Sequence, residues 1–587
     1  MVTRIESIAA WAFELDYADI PPRVIELARA QRKSVLAAIC ASTNDHASKK
    51  ILQATQSMAS DGPAPLIGTS DRAKVEDAVF AACALSIALD FDDYVCFGHT
   101  GHSSVLVPLL LSAETGSSGK SQLVAQIIAN EVGARLGGAC LIGPQNGQLW
   151  SFIHCAEAAL ATSKLLGLNE LQSAHALAIS LYQAPRATTP GFMAPDSKLL
   201  TAAEPAVSGI RAARLAACGV TGPLDVLDHP DGFLSAFAHA PIRGILGNLG
   251  DGWATQTLCV KVYPGCAYLD TTLDALTEIV PIDHESIEQV SVEAGMLTYG
   301  MNSMSAEYAQ PDGTTPSPVT VNFSVAWNVA AMLIAGELTP NELNSDWMSD
   351  HANELTDLVS KVRFSHDWDL TRSSVTAFNR LVPIDALISE AGLSSIGRTF
   401  SLARSRGRLP NLARMDPLGT LRDLRGITSI LDVRTLAMSS PGLIAALVKQ
   451  GLGGFGASSK SAHPAGSRSA TKFWDPEWLD RFVMKFPARV KVKANGKDCS
   501  SEVSIPRGGC GHPDFGPVPA SEQKFRHWGP TVWGTERATK IENAIDSDYD
   551  RLWTLLDQQG TSASIEINKS HADDSQFDQR PTIALTT

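Results

Sequence analysis

The chain has 587 residues, 44% hydrophobic and 19% charged, so it is long enough for more than one core and should fold. Its formal net charge of −14 leaves no broad basic face for neutralising phosphates, which excludes nucleic-acid binding as the main activity. The N-terminal stretch MVTRIESIAAWAFELDYADI interrupts its apolar residues with Glu6, Glu14 and Asp16, which argues against a secretory signal or a membrane span.

A cytoplasmic protein without a membrane partner is therefore expected, organelle targeting being left open. The ten cysteines include no C-x-x-C pair and most have apolar neighbours, so buried free thiols are expected rather than disulfides or zinc ligands. No H-E-x-x-H occurs, and no metal or other cofactor is implied by a local motif.

Residues 1 to about 260 read as a series of helices. Pro21 and Pro22 open one, with Val24, Ile25, Ala28, Val35 and Leu36 at helical spacing. Lys74 to Leu89 is a strongly apolar helix whose end delivers Asp90, Asp92 and Asp93; if the helix continues, Asp90 and Asp93 share a face. Between Leu89 and Pro108 the sequence LDFDDYVCFGHTGHSSVLVP then adds His99 and His102, with Gly98 and Gly101 loosening the backbone. This concentration of titratable groups is the active-site candidate; a helix end with solvated acids and water-facing histidines is the plainer alternative. Another apolar helix starts at about Ser104, followed by Ser121 to Leu136 and His154 to Leu166, and Lys198 lies in a polar loop ahead of a helix at Ala206 to Ala217.

From Lys261 the pattern changes. KVYPGC breaks the helical period, Gln289 to Ala294 alternates as a strand, Asn322 to Gly336 is helical, and Ala488 to Ile505 is a hairpin turning at Asn495-Gly496. This is α+β composition. A segment at about 371–472, rich in Arg, Ser and Gly (Arg398, Arg404, Arg406, Arg408, Arg414, Arg422 and Arg425 among them), reads as an insertion, part helix and part solvated basic loop. Phe525 to Leu556 carries the last helical pattern, and the polar stretch beyond Gln559 reads as a frayed tail.

Two motifs mislead. Gly451, Gly453 and Gly456 spell G-x-G-x-x-G, but LIAALVKQ before them reads as a helix where a dinucleotide fingerprint needs a strand. GSSGKS at Gly116 to Ser121 has Glu114 where a phosphate loop needs glycine, so it is better read as a turn into a helix capped near Ser118 or Ser121.

DFDD with its histidine loop, V-G-A-R-L-G from Val132, ATSKLLGLN from Ala161, a loop lysine about a dozen residues before Gly209-Ile210 and K-x-Y-P from Lys261 together resemble the MmgE/PrpD family, over nearly the whole chain except the insertion and tail. The resemblance implies a mainly α fold. A large all-α helical domain would take residues 1–261 and be completed by helices in 516–560. A smaller inserted α+β lid domain would take 262–515, including the Arg-rich insertion, and 561–587 would be a flexible tail. It also implies a homodimer that acts without cofactor on a small di- or tricarboxylate in the cleft between the domains; members include 2-methylcitrate dehydratase, cis-aconitate decarboxylase and an iminodisuccinate epimerase.

Carried over residue by residue, the resemblance makes Asp90, His102, Lys198 and Lys261 the catalytic set, with His99 as the alternative histidine. Asp93 would tune its neighbours and Asp92 would be structural. Tyr308 aligns with a lid tyrosine only across a gap. Tyr94 stands where decarboxylase-like members have threonine, and Gln148 where they have a second histidine, which His154 could replace.

These residue types suit proton abstraction beside a carboxylate. The resulting enediolate-like dianion needs cations already in place, which Lys198 and Lys261 would supply, while a histidine moves the proton and Asp90 orients it or acts as the acid. Dehydration of a 2-methylcitrate-like hydroxy acid is the first expectation, with cis-aconitate-type decarboxylation or epimerisation as the alternative. A non-catalytic scaffold that binds through the Arg-rich insertion is the reading of another class.

Overall fold

The computed structural model describes residues 2–145, 147–309, 316–406 and 473–557. Helices dominate. Pro22–Ser42 is buried along most of its length and runs beside the C-terminal Pro517–Asp546 helix, with Val75–Ile87 packed against it. Leu36, Leu85, Leu110, Phe525, Ile541 and Ile545 belong to one apolar cluster, so residues from both ends of the chain share a core. Each such side chain contributes roughly 1.5–3 kcal/mol by leaving water, enough to bind the last long helix firmly to the first ones. Gly119–Ala139, Ser151–Leu165 and Leu200–Ala217 complete the helical layer that carries the site.

A four-stranded sheet lies in the second half of the chain, in the order Val362–His366, Ile287–Ala294, Ala488–Ala494, Lys497–Val503. The first pair is parallel and the others antiparallel. The expected hairpin is present. Asn495 and Gly496 both take positive φ, 49° and 70°, and bring Ala494 opposite Lys497, the turn this dipeptide favours. Val290, Val292, Val490 and Val492 point to the buried face, against Trp327 and Leu355 of the neighbouring helices.

Several boundaries differ from the sequence reading. The apolar helix stops at Ile87, and Asp90 has φ +49°, so Asp90 and Asp93 do not share a helical face. Asp93 and Tyr94 instead form a short strand paired with Cys259–Val260, because backbone partners far along the chain offer the hydrogen bonds that helix continuation would have used. The polar loop expected around Lys198 is instead a single 3₁₀ turn, Asp196–Leu199, in which Lys198 is fully buried, and the helix that follows starts at Leu200. The last long helix starts at Pro517, eight residues before the expected Phe525, and kinks at Gly534. Ser118 caps the helix after Gly116, accepting from the Ser121 N–H at 3.1 Å.

All ten cysteines are free thiols, eight of them buried. The insertion begins with helices Trp368–Phe378, Ile384–Ala391 and Leu393–Ser405. Arg408, Arg414, Arg422, Arg425, the Gly451–Gly456 motif and the tail from residue 558 lie outside the described residues. Among the described residues no helix is long and apolar enough to cross a membrane.

Candidate active site

The site is built on the turn at Asp90. A non-glycine residue at positive φ is uncommon and costs about 1–3 kcal/mol, though aspartate tolerates it better than most. Side chains from four elements hold it. Lys198 Nζ and Asn322 Nδ2 (2.8 Å) both donate to Asp90 Oδ2, and Lys261 Nζ donates to the Asp90 carbonyl at 2.9 Å. The Lys261 N–H reaches the Asp92 carbonyl at 3.2 Å. Behind the turn, Lys524 donates to the Phe91 carbonyl.

Asp92 is where the charges converge. Its Oδ1 is 2.6 Å from Lys261 Nζ, and its Oδ2 is 2.6 Å from His99 Nδ1 and 3.1 Å from His102 Nε2. Burial alone would raise its proton affinity, but the Lys261 ammonium and the two imidazoles outweigh burial and hold the carboxyl well below the usual carboxylate range. Lys261 is reciprocally raised, since Asp92 and Asp90 overcome the burial that opposes its charge. Asp92, set aside as structural in the sequence reading, is thus the hub that joins both histidines to a lysine.

Asp93 faces the other way. Its Oδ2 accepts from Gln31 Nε2 at 2.7 Å, and burial followed by the nearby Asp92 charge pushes it up to about 7. Its Oδ1 lies against Gly101, so the Cβ of Gly101→Ala would overlap that oxygen and stand 2.8 Å from Val35 Cγ2. Gly101→Ala is expected to lower stability by about 1–3 kcal/mol or more. An unchanged denaturation midpoint would show that this part of the site is not packed as described.

His102 lies behind Asp92 with no exposure, its Nδ1 2.7 Å from Ser86 Oγ. His154 packs edge-on to it, ring centroids 5.8 Å apart, and bonds Ser103 Oγ at 2.8 Å; Ser103 in turn donates to Glu157. Burial holds the His154 imidazole neutral and pushes the Glu157 carboxyl well up. Lys198, lowered mainly by burial, has its ammonium 5.0 Å and 4.5 Å from the Phe192 and Phe323 ring centroids.

Those two rings are on the wall of a cavity of about 30 Å³, which also presents Tyr94, His99, Gln148 and Lys261. Of the two histidines, His99 therefore meets the cavity and His102 buttresses Asp92. Gln148 offers an amide nitrogen with no hydrogen-bond partner. The space suffices for about two waters, so a larger ligand requires the walls to part. Tyr308 packs half-buried against the apolar core of the second half, beside residues 310–315, which are not described.

Asp92, His99 and His102 present three donor atoms within 4.8 Å of one another, a set that could ligate a metal ion. The field around them opposes a dication: Lys261 occupies the second oxygen of Asp92, and Lys198 and Lys524 stand on either side of the same turn. The arrangement is better suited to an anion.

The sequence reading missed Asn322, Gln31 and Lys524. A signal for Lys524 existed: it falls between Ala520 and Trp528 on the one apolar stripe of its helix, where a charge is out of place.

Residues 6–243 match the MmgE/PrpD N-terminal domain. That stretch of the chain is thus similar to the N-terminal domain of the MmgE/PrpD family. It is similar to a cis-aconitate decarboxylase of Aspergillus terreus strain NIH 2624, 26% identical over 386 residues that span 61% of this chain and 77% of that protein. A second cis-aconitate decarboxylase of Aspergillus terreus is 28% identical over 296 residues, 46% of this chain and 59% of the relative. The family and these relatives support a lyase-type reaction.

Proposed function

We propose that this chain is a cofactor-independent lyase of the MmgE/PrpD family acting on a tricarboxylic acid, with decarboxylation of a cis-aconitate-like substrate as its first reaction. The observation that carries this reading is the His99–Asp92 pair at the cavity wall, 2.6 Å apart, with Lys261 on the other oxygen of Asp92. Among the described wall residues, His99 is the group able to exchange a proton near neutral pH. Burial pushes the Tyr94 phenol well up, Cys266 is raised to about 12, and Gln148 does not titrate.

Decarboxylation matches one proton carrier. As CO2 leaves, the C–C electron pair moves through the adjacent double bond towards a remaining carboxylate, and one proton is delivered to carbon. Lys261, at the wall, and Lys198, behind the two phenylalanine rings, oppose the negative charge that builds up. His99 is lowered chiefly by burial and so is largely neutral in the free protein; a trianion beside it raises its proton affinity and readies it to donate through Nε2. Asp92 holds the imidazole in the tautomer with the proton on Nδ1.

Dehydration of an alkylcitrate, the first expectation from sequence, remains the second reading. It is favoured by Tyr94 and Gln148, which stand on the wall where decarboxylase-like members have threonine and histidine. Incubating the full-length protein with ¹³C-labelled cis-aconitate and, separately, with 2-methylcitrate separates the two. Labelled CO2 with a dicarboxylate one carbon shorter supports the first reading. An unsaturated tricarboxylate from 2-methylcitrate, without CO2, replaces it with the second, and no turnover of either acid removes both.

A further inference from the structure

Lys524 belongs to no part of the mechanism above, yet it is among the most unusually placed charges in the molecule. It projects from the Pro517–Asp546 helix, is 5% exposed, and has its ammonium 3.8 Å from the centroid of the Phe91 ring. Its hydrogen-bond acceptors are neutral: the Phe91 carbonyl, Ser34 Oγ at 3.1 Å and the Asp92 carbonyl at 3.4 Å. A buried ammonium without a hydrogen-bonded carboxylate is destabilising, so its retention calls for a role in what it touches.

What it touches shows what it serves. The Phe91 and Asp92 carbonyls belong to the two residues after the positive-φ Asp90, and they carry the Asp92 side chain to His99. On the cavity side the same stretch is gripped by the backbone N–H and the Nζ of Lys261. Lys524 closes the grip from the rear, and Ser34 of the Pro22–Ser42 helix steadies its ammonium. The turn is thus clamped between two lysines 263 residues apart, one from K-x-Y-P and one from the C-terminal helix.

We propose that Lys524 is a positioning residue for proton transfer: by holding the Phe91 and Asp92 carbonyls from behind the cavity, it sets where Asp92 stands against His99 and Lys261. The reaction is thereby tied to the docking of the C-terminal helix onto the first helices. The proposal rests on the reading of His99 and Asp92 as the proton-transfer pair. Burial brings Lys524 down to about 7; of the charges that face it, Asp92, Asp93 and Asp270 favour its protonation and Lys261 opposes it.

The test uses the full-length protein with Lys524→Met and Lys524→Arg. Loss of the ammonium is expected to lower kcat by about 10- to 100-fold while KM stays within about threefold, because Lys524 does not line the cavity. The alkaline limb of the kcat/KM profile should move to higher pH, since removing a nearby cation eases protonation of the His99–Asp92 pair and the proton-donating form persists to higher pH. Lys524→Arg should recover part of kcat and return the limb towards the wild-type position.

A titration of ring-labelled histidines followed by NMR reads the same displacement without turnover, with His99→Gln identifying the His99 signal. An upward shift of that signal in Lys524→Met supports the proposal even if no tricarboxylate is turned over, in which case only the lyase reading fails. An unmoved His99 signal in a folded Lys524→Met protein overturns it, whatever happens to kcat, because a residue that merely knits the helix to the core leaves that titration alone. Should Lys524→Met not fold, Lys524→Gln is read by the same criterion.

Discussion

Asp92→Asn is expected to lower kcat by about 10²- to 10⁴-fold, the range associated with losing a positioned acid/base pair. Asparagine is nearly the same size, so packing is preserved and the loss is chemical. The Asp92 carboxylate meets a lysine ammonium with one oxygen and two imidazole nitrogens with the other. An amide has only one oxygen. If it faces His99, its NH2 group confronts the Lys261 ammonium and leaves that charge uncompensated in the interior. If it faces Lys261, the NH2 group meets His99 Nδ1 and favours the tautomer with the proton on Nε2, leaving no lone pair at the cavity. Either orientation removes the charge that stabilises a protonated His99. Steady-state kinetics with whichever acid is turned over, together with a far-ultraviolet circular dichroism spectrum matching wild type, provides the check. A folded Asp92→Asn variant within tenfold of wild-type kcat would mean that the pair does not move the proton.

The second large effect is on stability. Asp93 is fully buried, one of its oxygens has no hydrogen-bond partner, and it is raised to about 7 from an ordinary 3.8. Below about pH 4 both the folded and unfolded chains hold this proton, and Asp93 imposes no ionisation penalty. Between pH 4 and 7 the unfolded chain releases it while the folded chain keeps it, so stability falls as pH rises; above about 7 the penalty is complete, on the order of a few kcal/mol. Asp93→Asn keeps an acceptor for Gln31 and abolishes the ionisation. The variant is expected to unfold near the wild-type midpoint at pH 4.5 and at a clearly higher one at pH 8. Parallel midpoints across that range would show that Asp93 is ionised in the folded protein without penalty. Retained activity in this variant would separate Asp93 from Asp92, for which the proposed reaction requires the chemical role.

Much of this protein is legible in the sequence because the relevant signals are local. Apolar spacing marks Pro22–Ser42 and Val75–Ile87 as helices, Asn495-Gly496 can turn a hairpin through two positive φ values, and the run from Leu89 to Pro108 gathers titratable groups in one stretch. The ordered set of short motifs points to the MmgE/PrpD family that residues 6–243 match. Direction is what the sequence leaves open. Whether His99 or His102 meets the cavity, and whether Asp90 or Asp92 joins the histidines to a lysine, depends on how the backbone leaves the helix at Asp90. That exit is set by Lys198, Lys261, Asn322 and Lys524, which lie from about a hundred to more than four hundred residues away and reach the turn only when the core has assembled. Residue type and spacing thus determine which chemistry is present. Tertiary contacts alone decide which atom of each group faces the substrate, because at a turn with positive φ a side chain's direction depends on what holds the turn.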